Sequence, residues 1–198
     1  MSELTAAWIA AGAAIGGGLV AGLLTGAYQH WREYRNRPIL AIDFQDDDYH
    51  KVEAPGDPAG GNNPPYVYIK IRVRNNGHWA AKGCRVFLSQ LEEVHPSGKT
   101  TRAFFLGSRQ LAWEGLKFVP LDIPSDLDFY ADVVRVSKAA SGWEMAVEQL
   151  FASERSLQSY KGTYRFHAVV TSENAWPARC VVDVSYDGDW HNLRAVAV

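Results

Sequence analysis

The sequence predicts a mainly β protein, an antiparallel β-sandwich preceded by one N-terminal transmembrane helix. Three observations carry this expectation. From Leu4 to Gln29 the chain has no Asp, Glu, Lys or Arg. Beyond Pro38 it breaks into short stretches of alternating apolar residues separated by clusters of Gly, Pro, Asn and Asp, the period-2 pattern of half-buried strands. The composition, 47% hydrophobic and 12% aromatic, suits a packed domain rather than a disordered chain. The domains read as 1–37, an anchor with a basic juxtamembrane segment, and 38–198, the sandwich, with a flexible loop over 45–65.

As a helix, the charge-free run of 26 residues extends about 39 Å, whereas a bilayer core needs only about 20 residues. Core helices of water-soluble proteins keep a polar stripe, and this run has none. Trp8 near one end and Tyr28, Trp31 and Tyr34 near the other match interfacial aromatic belts. A cleaved signal peptide is the rival, with Thr25-Gly26-Ala27 as a small-residue cleavage site before Tyr28. Against it, the n-region holds Glu3 and no Lys or Arg. Arg32, Arg35 and Arg37 follow the span, so the positive-inside rule puts the C-terminal domain in the cytoplasm of a single-pass cell-membrane protein. Ala6, Ala10, Ala14, Gly18, Gly22 and Gly26 recur every four positions. The row Ala14, Gly18, Gly22 and Gly26 fits close helix–helix packing and self-association, although Ala and Gly are common in membrane helices anyway.

After Arg37-Pro38 breaks the helix, "ILAIDF" (39–44) reads as a first strand. The clearest strand is "YVYIKIRVRN" (66–75). Val67, Ile69, Ile71 and Val73 fall on one face, and Tyr68, Lys70, Arg72 and Arg74 on the other. "CRVFLSQLEEV" (84–94) groups Cys84, Val86 and Leu88. Shorter strands are expected near 101–106, 110–113 and 128–136, and 143–151 reads as strand or short helix. "GTYRFHAVVTSE" (162–173) sets Tyr164, Phe166, Ala168 and Val170 together. "RCVVDVSY" then turns at Asp187-Gly188, a hairpin signal, into "WHNLRAVAV".

About eight short antiparallel strands imply a sandwich. Gly162-Thr163-Tyr164 opening a late strand matches the tyrosine corner of immunoglobulin-like domains, with Phe166 where an antibody domain has its second Cys. Together "IKIRVRNNGHWAAKGCRVFL", "LAW", "DIPSDLDFYADV" and "GTYRFHAVVTSENAWP" resemble a group of uncharacterised bacterial single-pass membrane proteins with an immunoglobulin-like β-sandwich domain. The resemblance implies that fold and a membrane tether. It implies no reaction and no site residues.

Chemistry is sparse. Net charge is −2, and removing the first 37 residues leaves 17 basic and 20 acidic side chains, so no basic field points to nucleic acid. There is no G-x-S-x-G, G-x-x-x-x-G-K-[ST], H-E-x-x-H or C-x-x-C, so no catalytic residue, metal ligand set or cofactor is assigned. "DDDYH" (46–50) offers hard ligands, but consecutive Asp in a loop are simply solvated more often than metal-bound. Cys84 and Cys180 read as small buried thiols, with a disulfide between them only in an oxidising compartment.

The remaining candidate is a binding site in two loops. His78, Trp79 and Lys82 follow the strong strand, and Asn174, Trp176 and Arg179 lie between two late strands. In an immunoglobulin-like topology these loops share the end at which the domain's amino terminus lies, facing the bilayer or a partner. The plain alternative is that both rings fold back onto the core. The expected function is a membrane-tethered, non-enzymatic protein-interaction domain. The alternative is an exported or envelope-facing sandwich that binds carbohydrate or another envelope component. An enzyme using the 43–50 acidic segment is a third reading.

Overall fold

Residues 25–36 are helical in the computed structural model, which describes residues 25–54, 65–102, 107–116, 118–138, 143–145 and 161–198. The helix stops before Pro38, whose ring disfavours helical backbone at Arg37. The chain divides into two units, Met1–Arg37 and Pro38–Val198. In the first, Tyr28, Trp31 and Tyr34 are exposed. The Arg35 guanidinium lies 5.2 Å from the Trp31 ring, and that of Arg37 lies 4.4 Å from Tyr34. Among the described residues no helix is long and apolar enough to cross a membrane. Ala14, Gly18 and Gly22 lie outside the described residues, and a Cβ added at Gly26 meets nothing within 4 Å.

The second unit is built of β1 (Leu40–Asp43), β2 (Lys51–Ala54), β3 (Tyr66–Asn75), β4 (Ala81–Val94), β5 (Thr100–Arg102), β6 (Arg109–Gln110), β7 (Ala112–Trp113), β8 (Leu121–Ile123), β9 (Asp128–Ser137), β10 (Trp143–Met145), β11 (Gly162–Thr171), β12 (Ala178–Tyr186) and β13 (Arg194–Ala197). One sheet runs β1-β3-β9-β10, with β2 on β3 and β7 on β9. The other runs β13-β12-β11-β4-β5, with β6 and β8 on β4. The strand pairs are antiparallel, and the protein is mainly β.

Alternation decides what is buried. Val67, Ile69, Ile71 and Val73 point inward from β3, and Cys84, Val86 and Leu88 from β4. Tyr164, Phe166, Ala168 and Val170 point inward from β11, and all of these join one apolar cluster fed by both sheets. Two irregularities reset the phase. Val133 is the extra residue where β9 pairs with β3, so Ala131 and Val134 both reach the core. Ser89 is the extra residue where β4 pairs with β11, so Leu88 and Leu91 both do, and the Ser89 hydroxyl donates to the His167 carbonyl at 2.9 Å. Each is a β-bulge, two residues facing one.

The structure differs from the expected elements in four places. The 45–65 segment contains β2, paired along β3 from Lys51↔Ile69 to Ala54↔Tyr66. Its strand character was hidden because "KVEA" gains its order from the neighbouring strand rather than from apolar alternation. The 110–113 stretch is two strands in different sheets, since β6 pairs with β4 and β7 with β9. The buried Leu111 between them marks the switch, its N–H donating to Val86 at 2.8 Å. β8 was not expected at all. Finally, Asp187-Gly188 does not form a two-residue hairpin. The Asp187 carboxylate accepts from the Asp189 N–H and the Asn192 amide, and Asp189 caps a 3-10 turn over Trp190–Asn192 before β13. Asp here satisfies local backbone groups.

Phe166 is among the largest fully buried side chains, and truncation leaves a cavity that surrounding strands close only in part. Phe166→Ala is expected to lower unfolding stability by about 3–5 kcal/mol, measured by chemical denaturation of the full chain.

Candidate functional site

One buried amide assembles the end of the β unit where the chain enters it. Asn75 is 1% exposed. Its Oδ1 accepts from the Ile39 N–H at 3.0 Å and the Gly77 N–H at 2.9 Å. Its Nδ2 donates to the Trp79 carbonyl at 2.6 Å and the Ile123 carbonyl at 3.1 Å. A primary amide has two donors and two acceptor sites, and all four are used. The Asn76 N–H also bonds to the Ile39 carbonyl at 2.8 Å, so the first residues of the unit and the 76–80 loop share one end.

A second amide joins the other loop to it. Asn174 Oδ1 accepts from the Lys82 N–H at 2.8 Å, and Asn174 Nδ2 donates to the Ala80 carbonyl at 3.0 Å. The Glu173 N–H bonds to the Lys82 carbonyl at 3.0 Å. Between them Gly83 takes φ +60°, and a Cβ there would stand 2.7 Å from Glu173 Oε1. Glycine suits both the left-handed backbone and the close approach.

The two sequence-predicted loops are therefore together, and the expected rings point outward. Trp79 is 44% exposed and Trp176 75% exposed, so neither caps the core. His78, Lys82 and Asn174 are exposed beside them. Arg179 is exposed on β12 and borders a groove of about 320 Å³ lined also by Ile42, Phe44, Cys180 and Val198. Asn174 serves as a tie between backbones rather than a free ligand.

Sequence reasoning missed the polar patch on the outer face of the first sheet. Lys70 is 4% exposed because the β9 bulge sets it opposite Asp132. Lys70 Nζ lies 2.5 Å from Glu114 Oε1. Asp132 Oδ1 is buried with no hydrogen-bond partner among the described residues. Burial pushes the Asp132 carboxyl up to about 6, Lys70 opposes the shift and Glu114 adds to it. Nearby, Arg72 makes a bidentate pair with Asp43 at 2.9 and 3.0 Å. No signal in the sequence distinguishes Lys70 from Arg72 or Arg74.

The acidic segment 46–50 folds on itself. Asp47 Oδ1 accepts from the Tyr49 and His50 N–H groups and bonds the His50 ring at 2.6 Å. The His50 bond is the main cause holding the Asp47 carboxyl below its usual value. His50 is fully buried, edge-on to Phe44 and Tyr130. Among the described residues no group of three His, Cys, Asp or Glu side chains is placed to hold a metal.

The thiols give no disulfide. β11 separates β4 from β12, so Cys84 and Cys180 are two strand spacings apart, at least about 9 Å, and a bridge tolerates about 7 Å. Both are free, and burial raises each to about 11. The pairing expected for an oxidising compartment is thus excluded by geometry, whichever compartment the domain occupies.

No protein-family model matches the chain, and comparison with curated proteins and with solved structures finds no match.

Replacing Asn75 with Leu strands four backbone groups, some of which water can reach. The expected loss is about 2–4 kcal/mol, read by denaturation of the full chain. The folded chain holds the Asp132 proton more tightly than the unfolded one, so this group's contribution to stability falls as pH rises from 3.8 to about 6. Asp132→Asn is expected to flatten that slope and to raise the melting temperature above pH 6, in thermal scans from pH 4 to 7.

Proposed function

We propose that this chain is a single-pass membrane protein whose β unit lies on the cytoplasmic side and binds another protein without catalysis. One observation carries the tether. The charge-free sequence from Leu4 to Gln29 runs into a helix whose exposed Trp31 and Tyr34 rings lie against the guanidinium groups of Arg35 and Arg37. Aromatic rings and basic side chains are the residues that suit a membrane–water interface. The chain then passes Pro38 into a unit with its own core.

We read the two sheets as immunoglobulin-like. Support comes from pairing order, since β1-β3-β9-β7 and β4-β11-β12 follow the A-B-E-D and C-F-G sequence of that fold. β10 and β13 are then additions to its sheets. The resemblance to bacterial single-pass proteins with such a domain agrees with this reading.

Protein binding is supported by the outer face of the first sheet. Tyr49 stacks on Tyr130 at 6.4 Å, which pairs with Arg72 across the strands. Tyr66 and Tyr68 lie 6.1 Å apart, with the Arg135 guanidinium 5.1 Å from the Tyr66 ring. Tyrosine and arginine are the side chains over-represented where proteins bind one another. A second reading, an exported domain that binds carbohydrate, is favoured by the two exposed loop tryptophans, whose faces can stack on sugar rings.

A topology reporter fused after Val198 is expected to be active in its cytoplasmic form. Activity of an export-only reporter, or a mature chain beginning at Tyr28, overturns the placement. A photoreactive side chain at Tyr49 is expected to trap a discrete protein adduct in cells. Normal expression with no adduct overturns the binding face.

A further inference from the structure

Four exposed apolar residues from four separate segments meet at the Asn75 end. Ile39 is 52% exposed and Leu127 52%, and they join Trp79 and Trp176. The placement is fixed by hydrogen bonds and register. Ile39 bonds to Asn75, and Trp79 gives Asn75 its carbonyl. Leu127 lies between Ser125, which bridges Asn75, and Asp128, which faces Arg74. Trp176 follows Asn174, which bonds Ala80 and Lys82. Among the described residues of the β unit, these are the two exposed tryptophans. An apolar cluster of this kind marks a contact surface.

The chain itself says what covers it. Ile39 is both a member of the cluster and the point where the chain enters the β unit. Only nine residues, ten steps along the chain, separate it from Gln29, the last of the charge-free segment. Ten such steps span about 15 Å as helix and at most about 35 Å extended. If that segment is held in lipid, the cluster is confined within this radius of the bilayer, and even a weak surface contact is populated by the resulting effective concentration.

We propose that the Asn75 end rests on the bilayer surface, with Trp79 and Trp176 in the headgroup region and Ile39 and Leu127 beside them. The proposal rests on the tether of the previous subsection. Charges at this end are of both signs, Lys82 and Arg179 against Asp122, Asp126 and Glu173. The contact is therefore apolar and interfacial rather than a basic patch on anionic lipid, and salt does not release it.

The test uses the full chain in vesicles whose acyl chains are brominated just below the headgroups, which quenches nearby tryptophan emission. Wild type is compared with Trp79→Phe/Trp176→Phe, and alkaline carbonate extraction is run alongside. The double variant is expected to lose a larger share of the quenchable emission than of the total, equally at low and high salt. Both rings are exposed, so its melting temperature is expected to match wild type. A chain that resists carbonate but loses no quenchable emission overturns the surface contact and leaves the tether standing. A chain that carbonate releases overturns both.

Discussion

The arrangement of this β unit depends on a hydrogen-bonding obligation at Asn75. A side-chain amide removed from water costs free energy unless its donors and acceptors are all met. Here the four partners come from the first residues of the unit, from the 76–80 loop at two points, and from β8. Of the residues this amide holds, only Ile123 is buried in the core, whereas the Ile39 and Trp79 side chains are exposed and Gly77 has none. The amide therefore does for this end of the molecule what the valine and isoleucine rows do for its middle. Because a planar amide presents its groups in set directions, the attachment is specific in geometry as well as favourable in energy.

The bulges at Val133 and Ser89 have consequences on both faces of the sheets. Inside, they bring adjacent odd and even positions to the core and fill it without larger side chains. Outside, the Val133 bulge puts Lys70 against Asp132 and Glu114 under partial cover, so that a lysine in an otherwise solvated row is buried. Such a group is tolerated because carboxylates surround it, and the carboxylate left with an unmet oxygen is the one whose proton is held too tightly. The polar patch and the apolar packing thus have one cause.

The exposed loop tryptophans lie away from that core. The sheets hold the 76–80 and 172–177 loops, and the Asn174 tie fixes the backbones while leaving the Trp79 and Trp176 rings in solvent. Rigid loops with exposed aromatic side chains lose little conformational entropy on contact, which suits recognition. The acidic segment behaves oppositely. There the Asp47 carboxylate and the His50 imidazole are spent on the local backbone and on one another.

What the sequence determined by itself was whatever repeats with a local period. The charge-free first segment, the break at Pro38 and the inward rows of β3, β4 and β11 all follow from side-chain alternation or its absence, which neighbouring residues set. The union of the two tryptophan loops was also legible, though only through a topology assumed for the whole domain. Tertiary structure alone decided the rest. It made a strand of Lys51–Ala54, moved the chain between sheets at Leu111 and separated Cys84 from Cys180 by an intervening strand. It also chose Asn75, among the asparagines near turns, as the amide to bury. The physical reason is common to all four. Each needs at least one partner more than ten positions away along the chain, as Asn75 needs Ile39 and Ile123. No local pattern records which distant group will meet a given hydrogen bond or fill a given place in the core.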